Sequence, residues 1–239
     1  MHHKTEGIVL GTSRYSDVYS ITHVFTRDFG RVSYLLPRSG KKSNVKTSLF
    51  FPLSIVSLSV EHQPLREIQR IKEAERLTPL HEICTDMAKV SVAFFLSEFL
   101  SRVLRETHDN ELLFHYLKNS IETLEQTHKG IANFHMAFML GLTRFLGFYP
   151  NLEAYRPGLY FDLMNGEFVA PQPLHPHYLN KTESAVLLNL QRMDYATMRF
   201  FKFSRSDRNL VIERLLTYYR LHVYDFLPLK SLDVLKELF

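Results

Sequence analysis

One stretch, Asp17 to Val60, limits the choice of fold more than any other. From Asp17 to Arg27, Val18, Ser20, Thr22, Val24 and Thr26 alternate with Tyr19, Ile21, His23 and Phe25. That period of two, rich in β-branched and aromatic residues, reads as a strand with a different face on each side. Asp28-Phe29-Gly30 supplies a tight turn, Arg31 to Leu36 a second strand, and Pro37 its end. A polar loop, Arg38 to Lys46, carries four cations. Leu49 to Val60 is expected to be a further strand, with Pro52 marking an edge or bulge. Thr5 to Thr12 adds a strand in front, with Arg14-Tyr15-Ser16 as the turn between. Leu65 to Leu77, behind the Glu61–Pro64 turn, is taken as a fifth strand because a barrel needs one. Short strands with turn signals between them predict a small Greek-key barrel, a fold that often carries nucleic acid on one face.

Charge is distributed to suit that reading. Residues 1–80 hold 12 Lys+Arg against 7 Asp+Glu, while the rest of the chain is close to neutral. Within Arg27–Lys46 six cations face one acid. A positive field therefore centres on the first domain. Arg14, Arg27, Arg31, Arg38, Lys41, Lys42 and Lys46 are the candidate phosphate contacts, since each neutralised phosphate releases counterions. Tyr15, Tyr34, Phe50 and Phe51 are candidate stacking platforms for bases, with the barrel core as their other destination.

From Thr78-Pro79, a cap followed by Pro at the first helical position, the pattern turns helical. A domain boundary is therefore placed at 79/80, with a barrel over 1–79 and a helical domain over 80–239. Helices are expected from His81 to about Arg105, with Ser91, Glu98, Arg102 and Arg105 as a polar stripe and Cys84 in the core. Others are expected over Asp109–His128, Ile131–Gly147, Thr182–Arg192 and Asp207–Phe226, before a frayed tail at Asp233–Phe239. The first and third are apolar over most of their girth and should form the heart of a bundle. Asn151–Leu179 interrupts them with four prolines, and its Asn165-Gly166 is a hairpin signal.

Enzyme chemistry finds no foothold. Ser39-Gly40-Lys41-Lys42-Ser43 lacks the leading Gly of a phosphate loop, because position 35 is Leu35, and a strand follows it. No nucleophile elbow, zinc-protease helix or nuclease-type acidic cluster is present, so no catalytic residue or cofactor is assigned. His175 and His177 lack the spaced partners of a metal site. A single Cys excludes an intrachain disulfide and fits a reducing compartment. No apolar segment follows Met1-His2-His3-Lys4, and none elsewhere is long enough to span a bilayer, so a cytoplasmic protein without a signal peptide or membrane contact is expected. Arg199 to Arg205 (RFFKFSR) is a second basic-aromatic run: a DNA surface, a seat for an acidic peptide, or a linker tucking Phe into the bundle.

Glu6-Gly7-Ile8-Val9-Leu10, Phe25-Thr26-Arg27-Asp28-Phe29-Gly30-Arg31-Val32-Ser33 and the loop through Lys41-Lys42-Ser43 resemble, in that order, the bacterial recombination mediator RecO family. Gly141-Leu142-Thr143-Arg144-Phe145-Leu146-Gly147-Phe148-Tyr149-Pro150-Asn151-Leu152 extends the resemblance into the helical part. It implies an α+β chain, an amino-terminal OB barrel followed by an all-α domain. It implies a DNA-repair mediator without turnover that binds single- and double-stranded DNA and anneals strands. Such proteins load the recombinase with RecR and hold the acidic, Phe-ended tail of the single-stranded DNA-binding protein. For that tail, Arg144 beside Phe145, Phe148 and Tyr149 is the candidate seat, with a mere helix-end charge as the other reading of Arg144. Many members carry a four-cysteine zinc site where this chain has Asn151–Leu179 without any Cys, so zinc is not carried over. A pure protein-protein adaptor without intrinsic DNA affinity is the alternative function.

Overall fold

In the computed structural model, which describes residues 2–38, 45–63, 65–104 and 110–239, the strand alternation becomes a closed barrel. β1 (His2–Arg14) pairs with β2 (Tyr19–Thr26), and β2 with β3 (Gly30–Pro37). β3 runs parallel to β5 (Ile68–Arg76), which pairs with β4 (Ile55–Glu61), and β4 returns to β1. That strand order is the OB arrangement. Val24, Val32, Tyr34, Leu36, Leu58 and Val60 fill the interior. Ile8, Leu10 and Phe25 point outward yet are buried, because helices cover that wall. The bulge between Val9 and Gly11 takes the Leu10 carbonyl out of the ladder, and the Ser97 hydroxyl donates to it at 2.7 Å.

The strand expected over Leu49–Val60 is corrected. Thr47–Leu49 is a single 3-10 turn and the chain turns again at 51–54 before β4 begins. Pro52 cannot donate to a ladder and Leu53 has φ 62°, so the turn is tied to β1 instead. Leu53 N–H donates to the Val9 carbonyl at 2.9 Å, and Val9 N–H to that of Ser54 at 3.0 Å. The apolar run reads as a strand because Phe50 and Leu53 are buried in the barrel without being part of its ladder.

Thr78-Pro79 does not open the first helix. α1 (His81–Thr85) starts later, its free N–H groups capped by Glu125, whose carboxylate accepts from Glu82 at 2.8 Å and Ile83 at 2.9 Å. Asp86 then breaks the helix and caps α2 (Met87–Val103) through Lys89 N–H at 3.0 Å. Cys84, expected in the core, is exposed on the short α1. α3 (Glu111–Gln126) lays Phe114 against Phe25 of the barrel, ring centroids 6.3 Å apart. The expected frayed tail is helix α7 (Ser231–Leu238), whose first N–H group, with that of Lys230, donates to Glu98. Glu98 is thus a cap rather than part of a solvated stripe; Arg105 lies outside the described residues.

Two compact units result: 1–126 with 229–235, and 127–228 with 236–239. In the second, α4 (Ile131–Leu146), α5 (Lys181–Arg192) and α6 (Arg205–His222) surround a small sheet of β6 (Tyr160–Asp162), β7 (Glu167–Val169) and β8 (Tyr178–Leu179), in the order β7-β6-β8. Asn180 and Glu183 form the expected capping box on α5, and Ser204 with Asp207 forms another on α6. No helix among the described residues is long and apolar enough to cross a membrane.

Candidate nucleic-acid interface

The tip of the β1–β2 hairpin gathers what the linear sequence left scattered. Tyr15 and Ser16 N–H both donate to the Tyr19 carbonyl, at 3.1 and 2.9 Å, closing the turn. Arg38, just past β3, is drawn in: its N–H donates to the Val18 carbonyl at 2.9 Å and its guanidinium reaches the Ser16 carbonyl at 3.4 Å. Arg14 pairs with Asp17 on the near side. Tyr15, Val18 and Tyr19 stand between the two arginines, 61%, 57% and 40% exposed. Large apolar surface flanked by cations and held open to solvent is what a base-stacking, phosphate-binding surface requires.

From that tip the outer face of β2 and β3 continues. Ile21 and His23 of β2 lie beside Leu35 and Ser33 of β3, all half-exposed, and the His23 ring is hydrogen-bonded to Ser33 Oγ at 2.9 Å. Burial first, and the Arg31 charge second, pushes the His23 pKa down, so the ring is neutral at neutral pH. β5 extends the same face, because its parallel register sets exposed Arg70 against Leu35. The β4–β5 connection contributes Arg66 and a fully exposed Leu65. In OB folds the β2–β3 face and these two connections are the places that take oligonucleotides.

The predicted residues divide on this frame. Arg14, Arg31 and Arg38 share the face or its tip. Arg27 sits at the far end of β2, roughly 26 Å along the strand, engaged with Asp28 at 3.2 Å and Glu6 at 3.8 Å. Lys46 is exposed next to the 3-10 turn, while Lys41 and Lys42 lie outside the described residues. Tyr34 is a correction: alternation turns it inward, it is fully buried in the barrel core, and it offers no ring face to a base. Phe50 is core as well, and half-buried Phe51 packs edge-on against Phe94 of α2 at 5.7 Å. Tyr19, Arg66 and Arg70 were missed. Tyr19 was visible in the alternation, but the two arginines join the face only when β5 closes the barrel.

The second unit places the peptide-seat candidates unevenly. Arg144 is exposed and lies over the Tyr149 ring, 4.4 Å from its centroid, and donates to the Tyr149 hydroxyl at 3.0 Å. Phe145 is half-buried. Phe148 is part of the packing, parallel to the His222 ring at 5.2 Å and edge-on to Tyr219 at 5.3 Å. One turn before Arg144, Leu140 joins Pro150, Phe161, Leu163 and Leu190 in lining a narrow apolar cleft, whose charged groups are the Glu183–Arg214 ion pair.

The lobe does not fit zinc. The lobe at 151–179 contains no thiol, and at the end of β6 it holds one buried carboxylate, Asp162, 5% exposed. Its oxygens accept from Met164 N–H at 2.8 Å, Asn165 N–H at 3.2 Å, the Asn165 amide at 2.8 Å and the His175 ring at 3.3 Å. Burial raises the pKa of Asp162, but these donors, led by the Asn165 side chain, bring it below the usual carboxylate range. The other His175 nitrogen takes His177 N–H at 3.2 Å, so both of its ring nitrogens are committed. Among the described residues no three His, Cys, Asp or Glu side chains come together as metal ligands would.

An OB barrel with an exposed cation-aromatic face, joined to a helical unit with a small β lobe, defines the class. The family model for the recombination protein O N terminal matches residues 1–80, and that for its C terminal matches residues 84–233. The chain belongs to the RecO family. It is 46% identical to the DNA repair protein RecO of Phocaeicola vulgatus and 44% identical to that of Azobacteroides pseudotrichonymphae, over 100% of both chains in each case. It is 32% identical to the RecO of Flavobacterium psychrophilum, again over 100% of both.

Proposed function

We propose that this chain is a DNA-repair mediator without enzymatic turnover: its barrel, 1–79, binds single- and double-stranded DNA, and its helical part, 80–239, docks partners. Working in the cytoplasm at the nucleoid, it anneals complementary strands. With RecR it loads the recombinase onto strands coated by single-stranded DNA-binding protein. The observation that carries the reading is the hairpin tip, where Arg14 and Arg38 bracket three exposed apolar side chains at the edge of the β2–β3 face. Tyr15, Val18 and Tyr19 together present apolar surface that a ligand's bases would cover by stacking. The acidic, Phe-ended tail of the coating protein is assigned to the second unit. There Arg144 lies one turn from Leu140, which lines an apolar cleft of about 30 Å³ that would have to widen to admit a ring.

Salt-titrated binding to a labelled single strand tests the reading. A DNA mediator binds with log K falling against log salt by ~0.7 for each phosphate contacted. An adaptor with no affinity of its own would show no binding at moderate salt, and that result overturns the proposal.

A further inference from the structure

The basic-aromatic run at 199–205 has no part in the barrel face or the Arg144 seat, and its build is unlike that of a linker. Asn133 of α4, 3% exposed, donates both amide hydrogens to backbone carbonyls of this run, Met198 at 2.9 Å and Phe201 at 2.8 Å. The two carbonyls flank Arg199-Phe200, so a single buried side chain clamps the tip from both sides. Gly130, at φ 80°, packs under it so closely that a Cβ there would stand 2.9 Å from the Arg199 backbone. Upstream, Asp194 accepts from Ala196 N–H at 2.9 Å and Thr197 N–H at 2.8 Å, setting the turn that leads in. Downstream, Ser204 starts α6.

What this pedestal presents is Phe200, 67% exposed, with the Arg199 guanidinium 4.7 Å from its ring centroid. Phe201 and Phe203 are half-buried and parallel to one another, so the linker reading describes them and fails for Phe200. Lys129, Arg192 and Lys202 lie close to the tip in the chain or just before α4, and Lys129 and Lys202 are exposed. Asp194, the acid nearest in sequence on the leading side, is turned into its own loop.

We infer that Arg199-Phe200 is a second single-strand contact, a platform on which an unpaired base stacks while the surrounding cations take its phosphates. The lining decides the ligand. Phe200, Phe201 and Phe203 wall an open recess of about 410 Å³ that also carries the exposed Asn189 and Lys202. A phenyl anchor has nothing to offer those polar groups, whereas a base stacks on Phe200 and turns its polar edge toward them. Bases in a duplex are already stacked and present no free face, so the strand is single. The inference rests on the DNA-binding reading and extends it. A strand-annealing protein must hold two strands, and the molecule then has a cation-aromatic platform in each compact unit.

The chain contains no Trp, so Phe200→Trp places a single tryptophan at the site, whose emission can be excited apart from that of the 12 tyrosines. Adding a thymidine oligomer to the full-length Phe200→Trp protein should quench its emission, and an abasic oligomer of equal length and charge should not. In the Arg14→Ala/Arg38→Ala background, where the barrel tip is weakened, Phe200→Ala should lower oligomer affinity roughly five- to a hundredfold further. If the oligomer binds, as anisotropy reports, with no quenching and no effect of Phe200→Ala, the inference falls while the DNA-binding reading stands. Quenching by an acidic, Phe-ended peptide and not by the oligomer overturns it in favour of a protein partner. If no oligomer binds any form of the protein, both fall together.

Discussion

The barrel and the second unit handle polar groups in opposite ways. The barrel's core cluster is apolar but for Tyr34, and the barrel displays its cations and aromatics on one hairpin and one sheet face, where they are open to a ligand. The second unit spends its polar groups inward. Asn133 clamps 198 and 201, and Asp162 organises the lobe. The hydroxyls of Tyr218 and Tyr219 donate to the Phe148 and Met139 carbonyls at 2.8 and 2.7 Å. Surface changes should therefore cost the first region function without stability, and changes to buried groups should cost the second region stability.

The sharpest way to break this contrast is to strip the barrel tip. Each phosphate contact is a charge-assisted hydrogen bond worth ~1.5–3 kcal/mol. Arg14→Ala/Arg38→Ala should therefore weaken single-strand binding on the order of a hundredfold or more, and reduce the salt slope by ~0.7 for each phosphate no longer neutralised. Adding Lys41→Ala, Lys42→Ala and Lys46→Ala should deepen the effect. The melting temperature should barely move, since Arg14 and Arg38 are exposed. A large drop in melting temperature would show that the tip is structural, and the contrast would fail.

The second unit should be the more acid-sensitive. His135 of α4 is buried, and desolvation, then the Arg208 charge, lowers its pKa to about 3 from an ordinary value near 6.5. The unfolded chain takes the proton first, so this contribution to stability is complete above about pH 6.5 and is lost as pH falls toward 3, at ~1.4 kcal/mol per pH unit crossed. His23 and His62 of the first unit are lowered too, but they are only half-buried. Denaturant melts between pH 6.5 and 4.5, above the carboxylate range, should show the decline in wild type and a much flatter profile in His135→Leu. An unchanged profile would move the acid sensitivity to the barrel histidines.

Arg144→Ala separates the two surfaces by ligand. Removing the Tyr149 stacking should cost at most ~1 kcal/mol of stability, and binding to naked DNA should stay at the parental level. Affinity for a synthetic acidic, Phe-ended peptide should fall roughly tenfold, the worth of one charge-assisted hydrogen bond. Equal weakening for both ligands would mean that Arg144 belongs to a DNA surface.

The same contrast governs what could be read from the residues alone. Period-two alternation made four of the five strands legible, since inward Val24, Val32 and Leu36 must share a face whatever follows. It erred at Leu49–Ser54, where burial without ladder pairing mimics a strand, while the rest of that run is β4. The cation cluster was legible as composition, but its focus at the hairpin required the Arg38-to-Val18 hydrogen bond, which joins residues 20 apart in sequence. Three hubs were illegible for a related reason. Asn133, Glu98 and Glu125 each act on backbone more than 40 residues away, and no local pattern marks a side chain whose partner is a distant carbonyl or N–H.

Tyr34 tests the comparison from inside the barrel. Its ring is fully buried and the same burial pushes its pKa up, while its hydroxyl has no hydrogen-bond partner among the described residues. The barrel core thus contains an unpaired hydroxyl of the kind the second unit pairs at Tyr218 and Tyr219. Desolvating such a hydroxyl costs ~1–3 kcal/mol, and replacing it with hydrogen leaves the ring's packing in place. Tyr34→Phe should therefore raise the unfolding free energy by up to about 1 kcal/mol, after allowance for the small void left, and leave single-strand affinity unchanged. Tyr219→Phe, which removes a hydroxyl that donates to the Met139 carbonyl, should have the opposite sign, a decrease of ~1 kcal/mol or more. Paired denaturant melts decide it. If Tyr34→Phe is destabilising by as much as Tyr219→Phe, the barrel interior supplies a partner for that hydroxyl, and the two regions are built alike.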